Sequence, residues 1–174
     1  MSGRLAICAA ALLPALVFYG CAVPRMLLPR SDIEPRELGD PALDRRILIA
    51  SRDTDFKIEV ARMIAESFAG EPAYMRFTGI EMLKDEDPED YDAVVVMTSC
   101  IAWGIEAKVD DFLSKHGDSG NIVLLVTSGD GKWRPEPEGR RFDAIATASV
   151  KADAGKAAAE VLAAVRERLT EGGD

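Results

Sequence analysis

Three short runs are apolar along nearly their whole length: Arg46-Ile47-Leu48-Ile49-Ala50-Ser51, Asp92 to Thr98 (DAVVVMT) and Asn121 to Thr127 (NIVLLVT). A strand with one wet face alternates polar and apolar residues. These do not alternate, so each strand must be covered on both faces, as in parallel sheets with helices on either side. Tyr74 to Phe77 (YMRF) is shorter and more polar and reads as an edge strand. Phe142 to Ser149 (FDAIATAS) supplies a fifth.

Helical patterns separate the runs. Lys57 to Phe68 places Ile58, Ala61, Ile64, Ala65 and Phe68 on one face. Glu106 to His116 does the same with Val109, Phe112 and Leu113. Ala154 to Leu169 carries Ala158, Val161, Leu162, Val165 and Leu169, with Asp153 as expected N-cap. Strand-helix alternation predicts an α/β domain over residues 45–174 with a doubly wound, five-stranded parallel sheet. Between the fourth and fifth strands, SGDGKWRPEPEGRR holds Pro135, Pro137, Gly129, Gly131 and Gly139, so a loop replaces the usual helix.

Ahead of this domain, residues 5–24 carry no charge. The run is long enough to cross a bilayer and also suits the apolar part of a signal peptide. Phe18-Tyr19-Gly20-Cys21 partly resembles a bacterial lipoprotein box, in which Cys21 becomes lipidated. Residues 1–21 are therefore a signal peptide or membrane anchor, and the membrane is the expected partner through residues 5–24 or a lipidated Cys21. Arg25, Arg30 and Arg36 after the segment favour a cytoplasmic domain, whereas a lipidated Cys21 places it outside. Residues 22–44 contain four of the nine prolines (Pro24, Pro29, Pro35, Pro41) and read as an extended stalk, with Met26, Leu27 and Leu28 at the membrane surface.

Charge and composition exclude several classes. A net charge of −9 leaves no basic face for backbone phosphates, so nucleic acid is not an expected partner. The single His and three scattered Cys supply no zinc cluster and no Ser-His-Asp triad. His116 ends a helix, where a cation is an ordinary structural choice. Neither a Walker A run nor a Gly-x-Ser-x-Gly elbow occurs.

Two stretches resemble flavodoxins. Residues 98–131 (TSCIAWGIEAKVDDFLSKHGDSGNIVLLVTSGDG) look like that family's third strand, Trp-Gly loop, helix and fourth strand. Residues 47–68 (ILIASRDTDFKIEVARMIAESF) look like its first strand, phosphate loop and first helix. The resemblance implies strand order 2-1-3-4-5 and flavin mononucleotide (FMN) at the carboxyl ends of the strands. The phosphate would lie on Ser51, Arg52, Asp53, Thr54, Asp55 and Phe56. Thr98, Ser99, Cys100, Thr127, Ser128 and Gly129 would line the ribityl chain and ring edge. Trp103, before Gly104, and Trp133 would stack on the ring.

The loop departs from the family's Ser/Thr-x-Thr-Gly-Asn-Thr pattern. Asp53 replaces a Thr, Thr54 a Gly and Phe56 a second Thr. A carboxylate about 5 Å from a phosphate costs roughly 3 kcal/mol at an effective dielectric near 20. Arg52 turned inward would offset part of this, and Asp53 and Asp55 also suit the N-terminus of a helix beginning near Lys57. Cys100 has no neighbouring Cys to resolve it and reads as a small buried hydrophobe.

Receiver domains share the topology, but they need an Asp where Met97-Thr98-Ser99 stands. Two functions from different classes remain. One is a membrane-tethered FMN-dependent redox domain, whose acidic surface suits a basic redox partner protein. The other is a flavodoxin-like binding or scaffold module that no longer holds FMN.

Overall fold

A computed structural model describes residues 30–136 and 138–171. The apolar segment 5–24 and Cys21 lie outside the described residues. Among those described, no helix is long and apolar enough to cross a membrane.

The strands are β1 (Arg36–Leu38), β2 (Arg46–Ser51), β3 (Tyr74–Gly79), β4 (Ala93–Ser99), β5 (Ile122–Ser128) and β6 (Phe142–Ala148). The helices are α1 (Asp55–Ser67), α2 (Ala107–His116) and α3 (Ala154–Glu171), with 3-10 turns at Ile80–Asp85, Pro88–Asp90 and Lys151–Asp153. The strands form one sheet in the order β1-β3-β2-β4-β5-β6. All neighbours are parallel except β1, which runs antiparallel to β3.

The apolar runs are buried on both faces because each face has its own cover. Ile47 and Ile49 of β2, Val95 and Met97 of β4, and Val123 and Leu125 of β5 pack with Val60 and Ile64 of α1 and Val161 and Val165 of α3. The alternate residues Leu48, Ala50, Val94, Val96, Leu124 and Val126 pack with Val109, Phe112 and Leu113 of α2 and with Ile80 and Leu83. Each such aliphatic side chain stabilises the fold by about 1.5–3 kcal/mol relative to exposure. Between β5 and β6, residues 129–136 and 138–141 contain no helix, and Trp133 packs against the α2-side cluster there.

Four expectations are corrected. The sheet has six strands rather than five. β3 is not an edge strand, because β1 flanks it. Its polar Arg76 reaches Glu37 of β1 at 2.8 Å and Glu86 at 2.9 Å. Residues 30–44 are not a free stalk: they dock on the domain and supply β1, since Pro35 and Pro41 bracket the strand without interrupting it. On α1, Ile58 is 44% exposed, and Phe56, Lys57, Val60, Ala61 and Ile64 form the buried face.

Gly39 lets the chain turn back after β1. Its φ is +83°, and a Cβ there would collide with the carbonyl oxygen of Ala73. Gly39→Ala is expected to lower stability by about 1–3 kcal/mol, read from urea unfolding. An unchanged midpoint and slope would show that residues 30–44 do not pack as described.

Candidate functional site

The carboxyl ends of the parallel strands bring the loops after β2, β4 and β5 to one edge, where open α/β sheets bind ligands. The loop after β2 is taken up by the protein itself. Arg52 is 7% exposed and turns away from the loop mouth. Its Nε donates to Glu106 at 2.7 Å, one terminal nitrogen to Asp32 at 2.8 Å and the Arg30 carbonyl at 3.2 Å, and the other to Glu81 at 3.0 Å. Glu106, 7% exposed, also accepts from Thr98 at 3.3 Å and Arg30 at 3.5 Å. Asp32 accepts from the Glu81 backbone N–H at 2.9 Å, and Lys108 pairs with Glu81.

Segment 30–33 crosses in front of this loop. The Asp53 N–H donates to the Ser31 carbonyl at 2.8 Å, and the Thr54 N–H to the Arg52 carbonyl at 3.1 Å. Thr54, not Asp53 or Asp55, is the N-cap of α1: its hydroxyl accepts from the Lys57 N–H at 3.3 Å. Ser51 is buried and its hydroxyl donates to the Arg52 carbonyl at 2.9 Å. Phe56 points into the core, away from the edge. Asp53 and Asp55 are exposed, and Asp53 faces a groove of about 350 Å³ with Ile33, Arg36, Ile58 and Phe77. A phosphate in this loop would meet two carboxylates and few free backbone donors. The residues present do not fit FMN's phosphate.

Next to the loop lies a feature that the sequence reading missed. Lys57 is 1% exposed, and its ammonium donates to the Ser99 hydroxyl at 2.7 Å. The hydroxyl of Thr127, 5% exposed, donates to the Thr98 carbonyl at 3.3 Å and lies 3.1 Å from the Ser99 hydroxyl, which can donate to it. Burial pulls the Lys57 amine down from 10.5 to about 8, helped by Arg30 and Arg52 and opposed by Glu106. The signal in the sequence was a lysine among Phe56, Val60 and Ile64 on a helix whose inner face is otherwise apolar.

The aromatic loops diverge. Ile101 and Gly104 pair across a two-residue turn whose central residues, Ala102 (φ +48°) and Trp103 (φ +65°), are both left-handed. Such turns favour Asn-Gly, and a non-glycine residue there costs roughly 1–2 kcal/mol. Trp103 stands at the tip, 81% exposed, with Gly104 closing the turn. Trp133 instead packs on the sheet and lines an open cleft of about 630 Å³ with Gly104, Ile105, Asp110 and Arg140. Cys100 is half-buried against the α2-side core. Ser128 donates to Asp130 at 2.9 Å. The backbone N–H of Lys132 together with that hydroxyl holds the Asp130 carboxyl below its usual range. Gly129 is exposed, with open space around its Cα. The structure thus gathers Ser99, Thr98 and Thr127 into one polar cluster and leaves Trp103, Ser128 and Gly129 outside it.

The sheet order and its helix layers give the chain a flavodoxin-like α/β fold. It is similar in structure to an oxidoreductase from Corynebacterium diphtheriae, with TM-score 0.51, 13% identity, and coverage of 73% of this chain and 97% of that one. Rubredoxin oxygen:oxidoreductase from Desulfovibrio gigas (0.48, 16% identity) matches over 74% of this chain, which spans 37% of that protein. A flavodoxin from the domain Archaea (0.46, 11% identity) matches over 71% of this chain and 98% of its own. No protein-family model and no curated protein matches the sequence. At such identities the likeness is one of fold.

Two outcomes test the site's energetics. Arg52→Ala takes from the buried Glu106 its closest cation, leaving only Thr98 and the longer contact to Arg30, and is expected to cost about 3 kcal/mol, with Glu106→Gln restoring part of it. A loss below about 1 kcal/mol in urea unfolding would contradict the network.

Lys57 has the opposite sign. In the unfolded chain it stays charged up to about 10.5, in the folded protein only up to about 8. Stability therefore rises as pH climbs from about 8 towards 10.5, and below 8 that gain is absent. Between roughly pH 7.5 and 9.5 the gain is expected to be about 2 kcal/mol. It should vanish in Lys57→Met; an identical pH profile in that variant would refute the assignment.

Proposed function

We propose that this chain is a membrane-tethered flavodoxin-like module that binds a ligand or partner at the carboxyl edge of its sheet without holding FMN in the usual way. One observation carries the reading: the loop that would cradle the phosphate gives its N–H groups to Ser31 and Arg52 and turns its arginine inward. Each unpaired carboxylate–phosphate contact at Asp53 or Asp55 would cost about two further decades of affinity. Membrane tethering is supported by the uncharged run at residues 5–24, through a retained span or a lipidated Cys21.

A second reading, an FMN-dependent electron-transfer or reductase domain, is favoured by the cleft beside Trp133 and by the exposed Trp103, which precedes the cleft-lining Gly104 in sequence. Its volume falls in the range of small-molecule sites. Flavin, when bound, would supply the redox chemistry, and the protein's acidic surface would steer a basic redox partner.

Flavin titration separates the two. The purified full chain is expected to be colourless and to leave FMN fluorescence unchanged to tens of micromolar. Asp53→Thr combined with Thr54→Gly should not change that, because the backbone donors remain engaged. A yellow protein, or saturable quenching in either form, would establish the second reading in place of the first.

A further inference from the structure

We infer that the carboxyl edge of the sheet, with Trp103 at its tip, faces the bilayer and seats that indole in the interfacial layer. The inference rests on the tether reading above and adds to it which face the tether presents. Its origin is the path of the chain. Residues 30–33 lie against the end of β2, where Arg52 donates to the Arg30 carbonyl and Asp53 to the Ser31 carbonyl. From there the chain descends beside β3 as β1, pairing Arg36 with Phe77 and Leu38 with Met75. The described chain therefore begins at the carboxyl edge, and the residues before Arg30 join the domain there.

Little chain is left for a spacer. Five residues, 25–29, separate the apolar run from Arg30, a reach of about 17 Å when fully extended. Presenting the opposite edge to the membrane would require passing the height of β4, seven residues or about 23 Å, plus the loops at both ends. Anchoring through Cys21 lengthens the spacer to residues 22–29, about 28 Å at most, which still leaves little slack.

What projects from this edge fits an interface. Trp103 is 81% exposed on a turn with two left-handed non-glycine residues, and Val150, just past β6, is 52% exposed. Tryptophan prefers the headgroup level, where its ring is half apolar and its N–H stays wet. Exposed charges on the neighbouring loops are mixed, Asp53, Asp55 and Asp130 with Lys132 and Arg134, so no net attraction to anionic lipid is needed.

The test uses the full chain in phosphatidylcholine vesicles with acyl chains brominated near the headgroup. Trp133→Phe leaves Trp103 as the sole indole. A control adds Trp103→Phe and Leu38→Trp, moving the indole to the opposite edge. The expected result is flotation of both with the vesicles, at least twofold quenching of Trp103, and little quenching at position 38. Flotation with equal or reversed quenching would overturn the orientation while leaving the tether intact. Failure to float would remove the tether, and the orientation with it.

Discussion

The buried guanidinium of Arg52 is the interaction on which the carboxyl edge depends. All of its nitrogens are engaged, and their partners come from three places: segment 30–33, the turn after β3 and the residue before α2. A lysine could not serve, because the geometry calls for several donors held in one plane. The charges are not an added stabiliser in the simple sense. Desolvating Arg52 and Glu106 cancels much of their attraction, so the network's main effect is to fix one arrangement of these segments against alternatives.

That arrangement decides what the edge can bind. A phosphate loop needs free N–H groups and a nearby cation. Here the Asp53 N–H closes onto Ser31 and the Thr54 N–H onto Arg52, and the arginine is committed to three carboxylates. Beside the loop lies the amine of Lys57, nearly inaccessible but hydrogen-bonded to the half-buried hydroxyl of Ser99. An amine depressed to about 8 is neutral in an appreciable fraction near physiological pH. The pair therefore has a polarity that an apolar core position would lack, and it lies within the sheet's usual ligand edge.

The long-range frame of this fold was legible because it rests on burial. Runs such as NIVLLVT can only be strands covered on both sides, and the structure covers them. The errors have local causes. YMRF looked like an edge because Arg76 is polar, yet Glu37 and Glu86 supply partners that no periodicity reveals. Segment 30–44 looked like a stalk because of its prolines, but a three-residue antiparallel strand fits between Pro35 and Pro41. In the loop after β2, the residue types that weaken a phosphate site were visible, whereas the inward turn of Arg52 was not. Its partners Asp32, Glu81 and Glu106 are 20, 29 and 54 residues away in sequence.

Docking segment 30–44 on the domain changes more than the strand count. A free stalk from residue 22 to 44 would let the domain tumble above a membrane with any face exposed. With residues 30–33 locked under Arg52, an apolar span ending at residue 24 would leave only residues 25–29 as spacer, about 17 Å against the roughly 23 Å height of β4. The network that closes the phosphate loop is thus also the one that fixes where the chain before Arg30 joins the domain. If the anchor holds, whatever reaches the Lys57–Ser99 pair or the cleft beside Trp133 arrives through the narrow layer between domain and bilayer. Lipid-soluble molecules and membrane proteins have ready access to that layer, while a large soluble partner is hindered by the short spacer.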